Sequence, residues 1–291
     1  MKPRSRGGPA EYALRRERAA QLAGTTEAGQ PLAVLAAVLE HQQQRANDAT
    51  VLAAAALVRA GADERAKARI FPLLNVAVAA ESVESGVGAA IRALNNGDAR
   101  VDLPEPLVAA GRRLEAPVNR AEAVGFWLND PSLIDAPLGF WISIAAAPIF
   151  EVAAVGGQVP DPQQWNAAVC PICGGAPQVA MIAEESGEFM GGSPRSLICG
   201  RCVSRWTFPR ATCVACGEDD SRRVGGWTAD AWPAIRIEAC DTCRSYIKTF
   251  DLRRPGARDI VPLVDDVASA ALDLWASGQG LQRPVRSLAG V

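Results

Sequence analysis

The stretch Cys170-Pro-Ile-Cys173-Gly174 is the first of four Cys-x-x-Cys segments, and these segments decide the fold. All eight cysteines of the 291-residue chain belong to the four pairs. The pairs are Cys170/Cys173, Cys199/Cys202, Cys213/Cys216 and Cys240/Cys243. A tight two-residue turn lets both sulfur atoms of a pair face one point, and a divalent metal takes four such ligands in a tetrahedron. The cysteine pattern therefore predicts two metal sites of four thiolates each.

The gaps between the pairs indicate which pairs combine. There are 25 residues between the first and second pairs, 10 between the second and third, and 23 between the third and fourth. Each long gap fits a β-hairpin that returns the chain to its start, and the short gap fits a connector. We therefore expect site one (Cys170, Cys173, Cys199, Cys202) and site two (Cys213, Cys216, Cys240, Cys243). The long gaps exceed the usual zinc-ribbon spacing, so a crossed pairing stays open.

A Cys-x-x-Cys pair is also the pattern of a redox dithiol or a disulfide. Four pairs at repeating spacing, in a chain without a recognisable secretion signal, favour metal binding. A thioredoxin-like pair would also need a βαβ context, whereas these pairs lie among short strands and turns.

The cysteine-rich segment is an internal repeat. Each half contains, in order, a Cys-x-x-Cys turn (a knuckle), a glycine, a predicted β-hairpin, a second knuckle and an aromatic residue. The predicted hairpin turns are Gly191-Gly192 and Gly225-Gly226, and the aromatic residues, expected in small-core packing, are Trp206 and Tyr246. The glycines after the first knuckles, Gly174 and Gly217, can adopt positive φ and let backbone N–H groups point at sulfur. The repeat predicts two copies of one small module, each held mainly by its metal.

The rest of the chain has the apolar spacing of α-helices. Predicted helices cover residues 11–22, 31–61 (two helices broken near Asp48), 66–80, 87–94, 106–114 and 121–128. The apolar run between Asp135 and Glu151 holds 15 uncharged residues, which predicts a buried core helix because a membrane span needs about twenty. A last helix is predicted from Pro262. Its apolar residues, as far as Leu274 and Trp275, lie on one face, and Gly278 follows as a stop.

These patterns predict an α+β chain. We expect an all-α helical domain at residues 1–154, a Gly- and Pro-containing linker at 155–168, a first four-cysteine module at 169–208, a second four-cysteine module at 209–258, and a C-terminal helix and tail at 259–291.

Outside the cysteines, the sequence predicts no active site. His41 is expected to be a surface or packing histidine, and no nucleophile-elbow, phosphate-loop or dinucleotide-binding pattern is present. The acidic pairs Glu184-Glu185 and Asp219-Asp220 are expected to be solvated, and Asp265-Asp266 to be the polar start of the last helix. We therefore expect a protein that is not an enzyme.

The charged residues suggest no membrane or nucleic-acid partner. The formal net charge of the chain is −2, which argues against a nucleic-acid or membrane partner. The basic residues 1–8 are not followed by an apolar signal segment, which predicts a cytoplasmic protein. Several arginines lie near the cysteines and are expected to offset the negative sites on a solvated face, with docking of an acidic partner as the alternative. They are Arg195, Arg201, Arg205, Arg210, Arg222, Arg223, Arg236 and Arg244.

Four segments together resemble the formate dehydrogenase accessory protein FdhE family. They are Cys170-Pro-Ile-Cys-Gly174, Arg195-Ser-Leu-Ile-Cys-Gly-Arg-Cys-Val-Ser-Arg-Trp206, Cys213-Val-Ala-Cys-Gly217 and Ile237-Glu-Ala-Cys-Asp-Thr-Cys-Arg-Ser-Tyr-Ile-Lys-Thr-Phe-Asp251. The resemblance extends over about residues 168–276, and the helical half agrees in order and length. Ser196 and Arg205 depart from the family pattern, where a tyrosine and an acidic residue are usual, and both lie near site one.

The resemblance implies a cytoplasmic maturation factor that binds the catalytic subunit of formate dehydrogenase during its assembly. It also implies two tandem rubredoxin-like or zinc-ribbon modules, with iron as the expected metal and zinc as the alternative, since four sulfur ligands suit both. A homodimer is compatible with this role. A rubredoxin-type electron carrier is the main alternative function, and a zinc-ribbon regulator that binds nucleic acid is a less favoured one.

Overall fold

The computed structural model describes residues 10–96, 101–157, 159–161, 163–182, 194–257 and 259–287. A helical region comes first, a six-stranded sheet follows, and two short helices close the chain, so the fold is α+β as predicted. The helices of the first region are α1 (Ala10–Ala23), α2 (Gly29–Arg45), α3 (Ala49–Arg59), α4 (Ala62–Lys67), α5 (Ala80–Asn96), α6 (Glu105–Glu115), α7 (Pro117–Asn129) and α8 (Ala136–Ala154).

The predicted break near Asp48 is present, since Asp48 caps α3 by accepting a hydrogen bond from the N–H of Thr50. The prediction of a helix over residues 66–80 is wrong for most of that range. The α4 helix ends at Lys67, and only the short 3₁₀ turn Val76–Ala79 follows before α5. Pro72 disfavours helical geometry at Phe71, and the N–H groups of the next two residues are used in a contact with site one instead.

Helix α8 is a buried core helix of the first region, as the apolar run predicts. Phe140, Trp141, Ile144 and Phe150 are buried in its core. Among the described residues, α8 alone has the length and composition that a membrane crossing would need, and most of it is buried within the protein. Burial on this scale is what a core helix requires.

The six strands form one sheet in the order β3-β2-β1-β6-β5-β4. They are β1 (Pro177–Ile182), β2 (Arg195–Cys199), β3 (Arg205–Thr207), β4 (Val224–Thr228), β5 (Ile235–Cys240) and β6 (Tyr246–Asp251). Each repeat supplies three antiparallel strands, and the two repeats join where β1 runs parallel to β6, with Ala180 opposite Thr249. The two modules therefore share one continuous sheet, and the domain limits derived from the sequence stay predictions.

One of the two predicted hairpin turns is wrong. Gly225 and Gly226 lie inside β4, opposite Ala239 and Glu238, and the chain turns after Thr228 instead. Glycine is tolerated there because β4 is the edge strand of the sheet. The other predicted turn, Gly191-Gly192, and the pair Glu184-Glu185 lie outside the described residues.

The sheet is covered on both faces. Ala180, Leu197 and Ile247 belong to the core that contains α3, α5 and α8. The opposite face packs against α9 (Pro262–Ala268) and α10 (Ala270–Gly278), with Ile235 and Phe250 near Leu263 and Leu272. Helix α9 also packs on α1 and α2, so it connects the sheet to the start of the chain.

The single C-terminal helix predicted from Pro262 is two helices, separated at Ser269. The Ser269 hydroxyl donates to the carbonyl of Asp265, which suits the last turn of α9. The predicted apolar face is wrong in its second half, because Leu274 is 62% exposed and Trp275 is 40% exposed. The break turns α10 so that Asp273 and Ala276 face inward instead.

Candidate metal centres

All four Cys-x-x-Cys segments adopt one backbone turn. In each, the N–H of the first cysteine donates to the carbonyl five residues later, at distances of 2.8 to 3.0 Å. The residue before that carbonyl has positive φ: Gly174 (73°) and Gly217 (78°), as predicted, and also Val203 (52°) and Arg244 (60°). The last two were missed because neither residue is a glycine. The shared turn directs both sulfur atoms of each segment to one side.

The structure brings the sulfur atoms together in the two groups that the spacing favours, and not in a crossed arrangement. Within each group the ligand atoms lie within 4.8 Å of one another. The closest sulfur pairs are 3.5 Å (Cys173 and Cys199), 3.6 Å (Cys213 and Cys243) and 3.7 Å (Cys170 and Cys202; Cys216 and Cys240). A tetrahedron with metal–sulfur bonds of about 2.3 Å has sulfur–sulfur edges of about 3.8 Å, whereas a disulfide needs about 2.05 Å. The geometry fits two four-cysteine metal-binding clusters of zinc-ribbon type.

Backbone N–H groups point at sulfur in both clusters. The N–H of Arg201 lies 3.3 Å from the Cys199 Sγ, and the N–H of Ala215 lies 3.4 Å from the Cys213 Sγ. Such hydrogen bonds favour the thiolate form and tune a bound metal. The sequence places these donors one residue before the second cysteine of each knuckle, where any non-proline residue can supply them.

Burial sets the electrostatics of the cysteines. Burial raises the pKa of Cys170 well above its ordinary value, and burial raises the pKa of Cys213 to about 12. Burial also opposes ionisation of Cys243, but hydrogen bonds from Ser245 lower the pKa of Cys243 to about 7. Because burial disfavours the Cys170 thiolate, four thiolates in site one would be stabilised by a bound cation, which a divalent metal supplies.

Site one contacts the helical region directly. Its four cysteines are at most 1% exposed. The N–H of Leu73 donates to the carbonyl of Pro171 (3.1 Å), and the N–H of Leu74 donates to the carbonyl of Ile172 (2.8 Å). The first knuckle therefore pairs by its backbone with the segment between α4 and α5.

Arg201, inside the second knuckle of site one, makes a second contact with the helical region. Its guanidinium donates to the carbonyls of Trp127 (3.4 Å) and Leu128 (3.3 Å) in the last turn of α7, and to that of Cys173 (3.4 Å). It also lies over the ring of Trp127, 5.0 Å from the centroid. A cation is favoured there because the carbonyl end of a helix is the negative end of its dipole. Arg201 was expected on a solvated face, yet it is 8% exposed.

Arg195 links the two clusters. Its guanidinium donates to the carbonyls of Pro209 and Thr212, just before Cys213, and forms a 2.8 Å ion pair with Glu238. At 2% exposure, Arg195 also contradicts the expected solvated face, whereas Arg222 is exposed as expected. The only sequence signal for the two buried arginines is their position, inside a knuckle or at the start of a strand that leads to one.

A buried charged cluster lies behind the sheet, and the sequence prediction missed it. Lys248 contacts Asp266 (2.9 Å) and Asp273 (2.6 Å), and Arg283 contacts both carboxylates at 3.0 Å. Asp266, expected at the polar start of the last helix, lies in α9 and is only 1% exposed. Burial works against its ionisation, but Arg283 and Lys248 lower the pKa of Asp266 to about 2. Two cations and two carboxylates balance each other and fasten α9 and α10 to β6.

His41 is buried in packing, one of the two expected locations. Burial, with a smaller effect from Arg45, lowers the pKa of His41 to about 4, so its imidazole is neutral near neutral pH. The aromatic residues after the knuckles are also packed inside: Trp206 donates to the carbonyl of Ala167, and Tyr246 donates to Asp273.

Comparison with known proteins finds similarity in the C-terminal part of the chain. Residues 212–288 match the family model described as FdhE, C-terminal domain. A protein named FdhE homolog from Aquifex aeolicus is 35% identical over 128 residues, which cover 44% of this chain and 44% of the relative. Another from Shewanella baltica strain OS223 is 32% identical over 114 residues, covering 39% of this chain and 35% of the relative. The matched part thus spans less than half the length of each relative.

The fold agrees over a longer stretch than the sequence. The crystal structure of the FdhE protein from Pseudomonas aeruginosa matches with a TM-score of 0.70 and 22% identity, covering 97% of this chain and 96% of that one. Its helical region and sheet therefore share the arrangement described above. By its C-terminal segment and by its fold, the chain is therefore similar to FdhE proteins.

Proposed function

We propose that the protein is a formate dehydrogenase accessory factor that binds the catalytic subunit while that subunit is being assembled. The match of residues 212–288 to the FdhE C-terminal domain, together with the similarity to proteins named FdhE homolog, supports the proposal. The role needs recognition and no catalysis, and we assign no catalytic residue. The cytoplasm is the proposed compartment, because thiolates stay reduced and available to metal there.

Each four-cysteine cluster is proposed to hold one metal ion. Site one would use Cys170, Cys173, Cys199 and Cys202, and site two would use Cys213, Cys216, Cys240 and Cys243. The sulfur separations of 3.5 to 3.7 Å support this assignment. Iron and zinc both accept four sulfur ligands in a tetrahedron, so the donor set suits either metal.

The test is recovery of formate dehydrogenase activity in a host that lacks its own FdhE protein. The tagged chain should restore activity and should retain the catalytic subunit when it is purified from these cells. The variant Cys213→Ser/Cys216→Ser should reduce both if the metal module supports recognition. Ser221→Ala, at an exposed position near the same cluster, is the matched control. Restored activity without any association between the two proteins would contradict the proposal.

A second candidate, an electron carrier, is favoured by the exposure of Cys216, since electron exchange needs an accessible centre. Iron would supply the redox change in that case. The two functions separate when the chain is loaded with zinc, which has no redox chemistry. Zinc-loaded protein that still supports maturation in a cell extract would eliminate the carrier.

A further inference from the structure

The two clusters have the same backbone turns but differ in their access to solvent. In site one, all four cysteines are buried. In site two, Cys216 is exposed and Cys243 is half-buried, while Cys213 and Cys240 are buried. Because the two modules have the same motifs in the same order, we attribute the difference in solvent access to the residues that cover each cluster.

Residues at equivalent positions of the two modules show what covers each cluster. A side-chain carbon added at Gly174, after the first knuckle of site one, would meet Pro72 at 3.4 Å. At Gly217, the same position of site two, it would meet none of the described residues within 4 Å. In the second knuckle, Arg201 is buried against α7, whereas the equivalent Thr242 is exposed. The helical region closes site one and leaves site two open.

We infer that site two is a thiol-modification site, at which peroxides oxidise the cysteines and expel the metal, while site one keeps its metal. The inference rests on the proposed metal ligation. Reactivity of cysteines follows thiolate character and exposure, and metal ligation supplies the thiolate. Cys216 meets both conditions.

The reaction balances with hydrogen peroxide as the oxidant. The Cys216 thiolate attacks one peroxide oxygen, which breaks the O–O bond, forms a sulfenic acid and releases hydroxide. The Cys240 thiolate, whose Sγ is 3.7 Å away, then attacks the sulfenic sulfur, which forms the disulfide and releases a second hydroxide. Two thiolates lose two electrons and peroxide gains them. The divalent metal, left with two ligands, dissociates without a change of charge.

The experiment uses the full chain loaded with Zn²⁺, so that the metal takes no part in the redox step. Zinc content is measured first, and two ions per chain are expected. Hydrogen peroxide is then added with a chromophoric chelator, and the modified cysteines are located by peptide mass spectrometry after trapping with an alkylating reagent. One zinc ion should leave, with disulfides confined to Cys213, Cys216, Cys240 and Cys243. Without peroxide, Cys216 should be alkylated roughly tenfold faster than any site-one cysteine.

Two controls locate the effect. In guanidinium chloride all eight cysteines should react at similar rates, because the fold no longer protects site one. The Cys213→Ser/Cys216→Ser variant should bind one zinc ion and retain it in peroxide. Should this variant fail to fold, the peptide map of the unaltered protein still decides.

Failure takes two distinguishable forms. Loss of both zinc ions at one rate, no loss of zinc, or earlier oxidation of site one would overturn the inference while the metal assignment stands. Binding of fewer than two zinc ions would overturn the metal assignment, and the inference with it.

Discussion

The backbone N–H of Leu74 donates a 2.8 Å hydrogen bond to the carbonyl of Ile172, which lies between the two cysteines of the first knuckle. Leu74 is 98 positions earlier in the chain and belongs to the helical region. The bond therefore connects the packing of the helices to the shape of a metal-binding turn. Together with the hydrogen bond from Leu73 and the contacts of Arg201, this bond connects site one to the helical region.

Removal of the metals should disrupt the contact between site one and the helical region before it destabilises the rest of the helical region. Without metal, nothing holds the four site-one sulfur atoms around one point, and the knuckle that accepts the bonds of Leu73 and Leu74 loses its geometry. We expect amide hydrogen exchange at these two residues to rise by roughly tenfold or more. The amide of Leu35, which packs with α1 and α9, is the internal control. Equal acceleration of hydrogen exchange at all three amides would argue against a local effect of the metal on this contact.

Substitution of Arg201 should destabilise the protein. Arg201→Met keeps an unbranched stem beside Trp127 but removes every hydrogen bond to the carbonyls of α7 and Cys173. Because those buried carbonyls lose a partner, we expect the free energy of unfolding to fall by about 1–3 kcal/mol in denaturant titrations of the metal-loaded protein. Arg222→Met, at a side chain that is 88% exposed, should leave the free energy of unfolding nearly unchanged. Equal effects of the two substitutions would refute the structural role of Arg201.

Lys248 should be among the most sensitive charged positions. Lys248→Met leaves Asp266 and Asp273 in the core with Arg283 as their remaining cation. Breaking a buried ion pair from one side costs about 3–5 kcal/mol, so thermal unfolding should shift strongly downward. The matched control is Lys67→Met, since Lys67 is exposed at the end of α4. A loss below about 1 kcal/mol would mean that water or rearrangement replaces the lysine.

The buried His41 should make stability depend on pH between about 6.5 and 4. Its folded pKa of about 4 lies below the ordinary value of 6.5, so protons bind more readily to the unfolded chain in this window. The contribution is complete above pH 6.5 and is lost as the pH falls towards 4, with a slope of up to about 1.4 kcal/mol per pH unit.

The measurement is the free energy of unfolding against pH for the unaltered protein and for His41→Gln. Acid-induced loss of metal affects both proteins alike, so the difference between the two curves isolates the histidine. The curves should diverge below pH 6.5 and run parallel above it. Parallel curves throughout would show that His41 is solvated when the protein is folded.

Local patterns in the sequence determined the chemistry of the clusters and most of the helices. Pair spacing predicts the two groups of sulfur atoms, and Gly174 and Gly217 have the positive φ that their position after a knuckle requires. These features depend on residues close together in the chain, where turn geometry and periodicity act alone. The family resemblance also comes from local motifs around the cysteines, which is why it is visible without a structure.

The tertiary structure alone decided which features are buried and which are joined. Residues 68–75 leave the helix pattern because Leu73 and Leu74 pair with a knuckle, and Asp266 and Arg201 are buried because partners from distant segments compensate their charge. The parallel pairing of β1 with β6 and the open face of site two are likewise set by contacts between distant segments. Free energies of charge burial and backbone pairing depend on partners that become neighbours only when the chain folds, so no local pattern contains them.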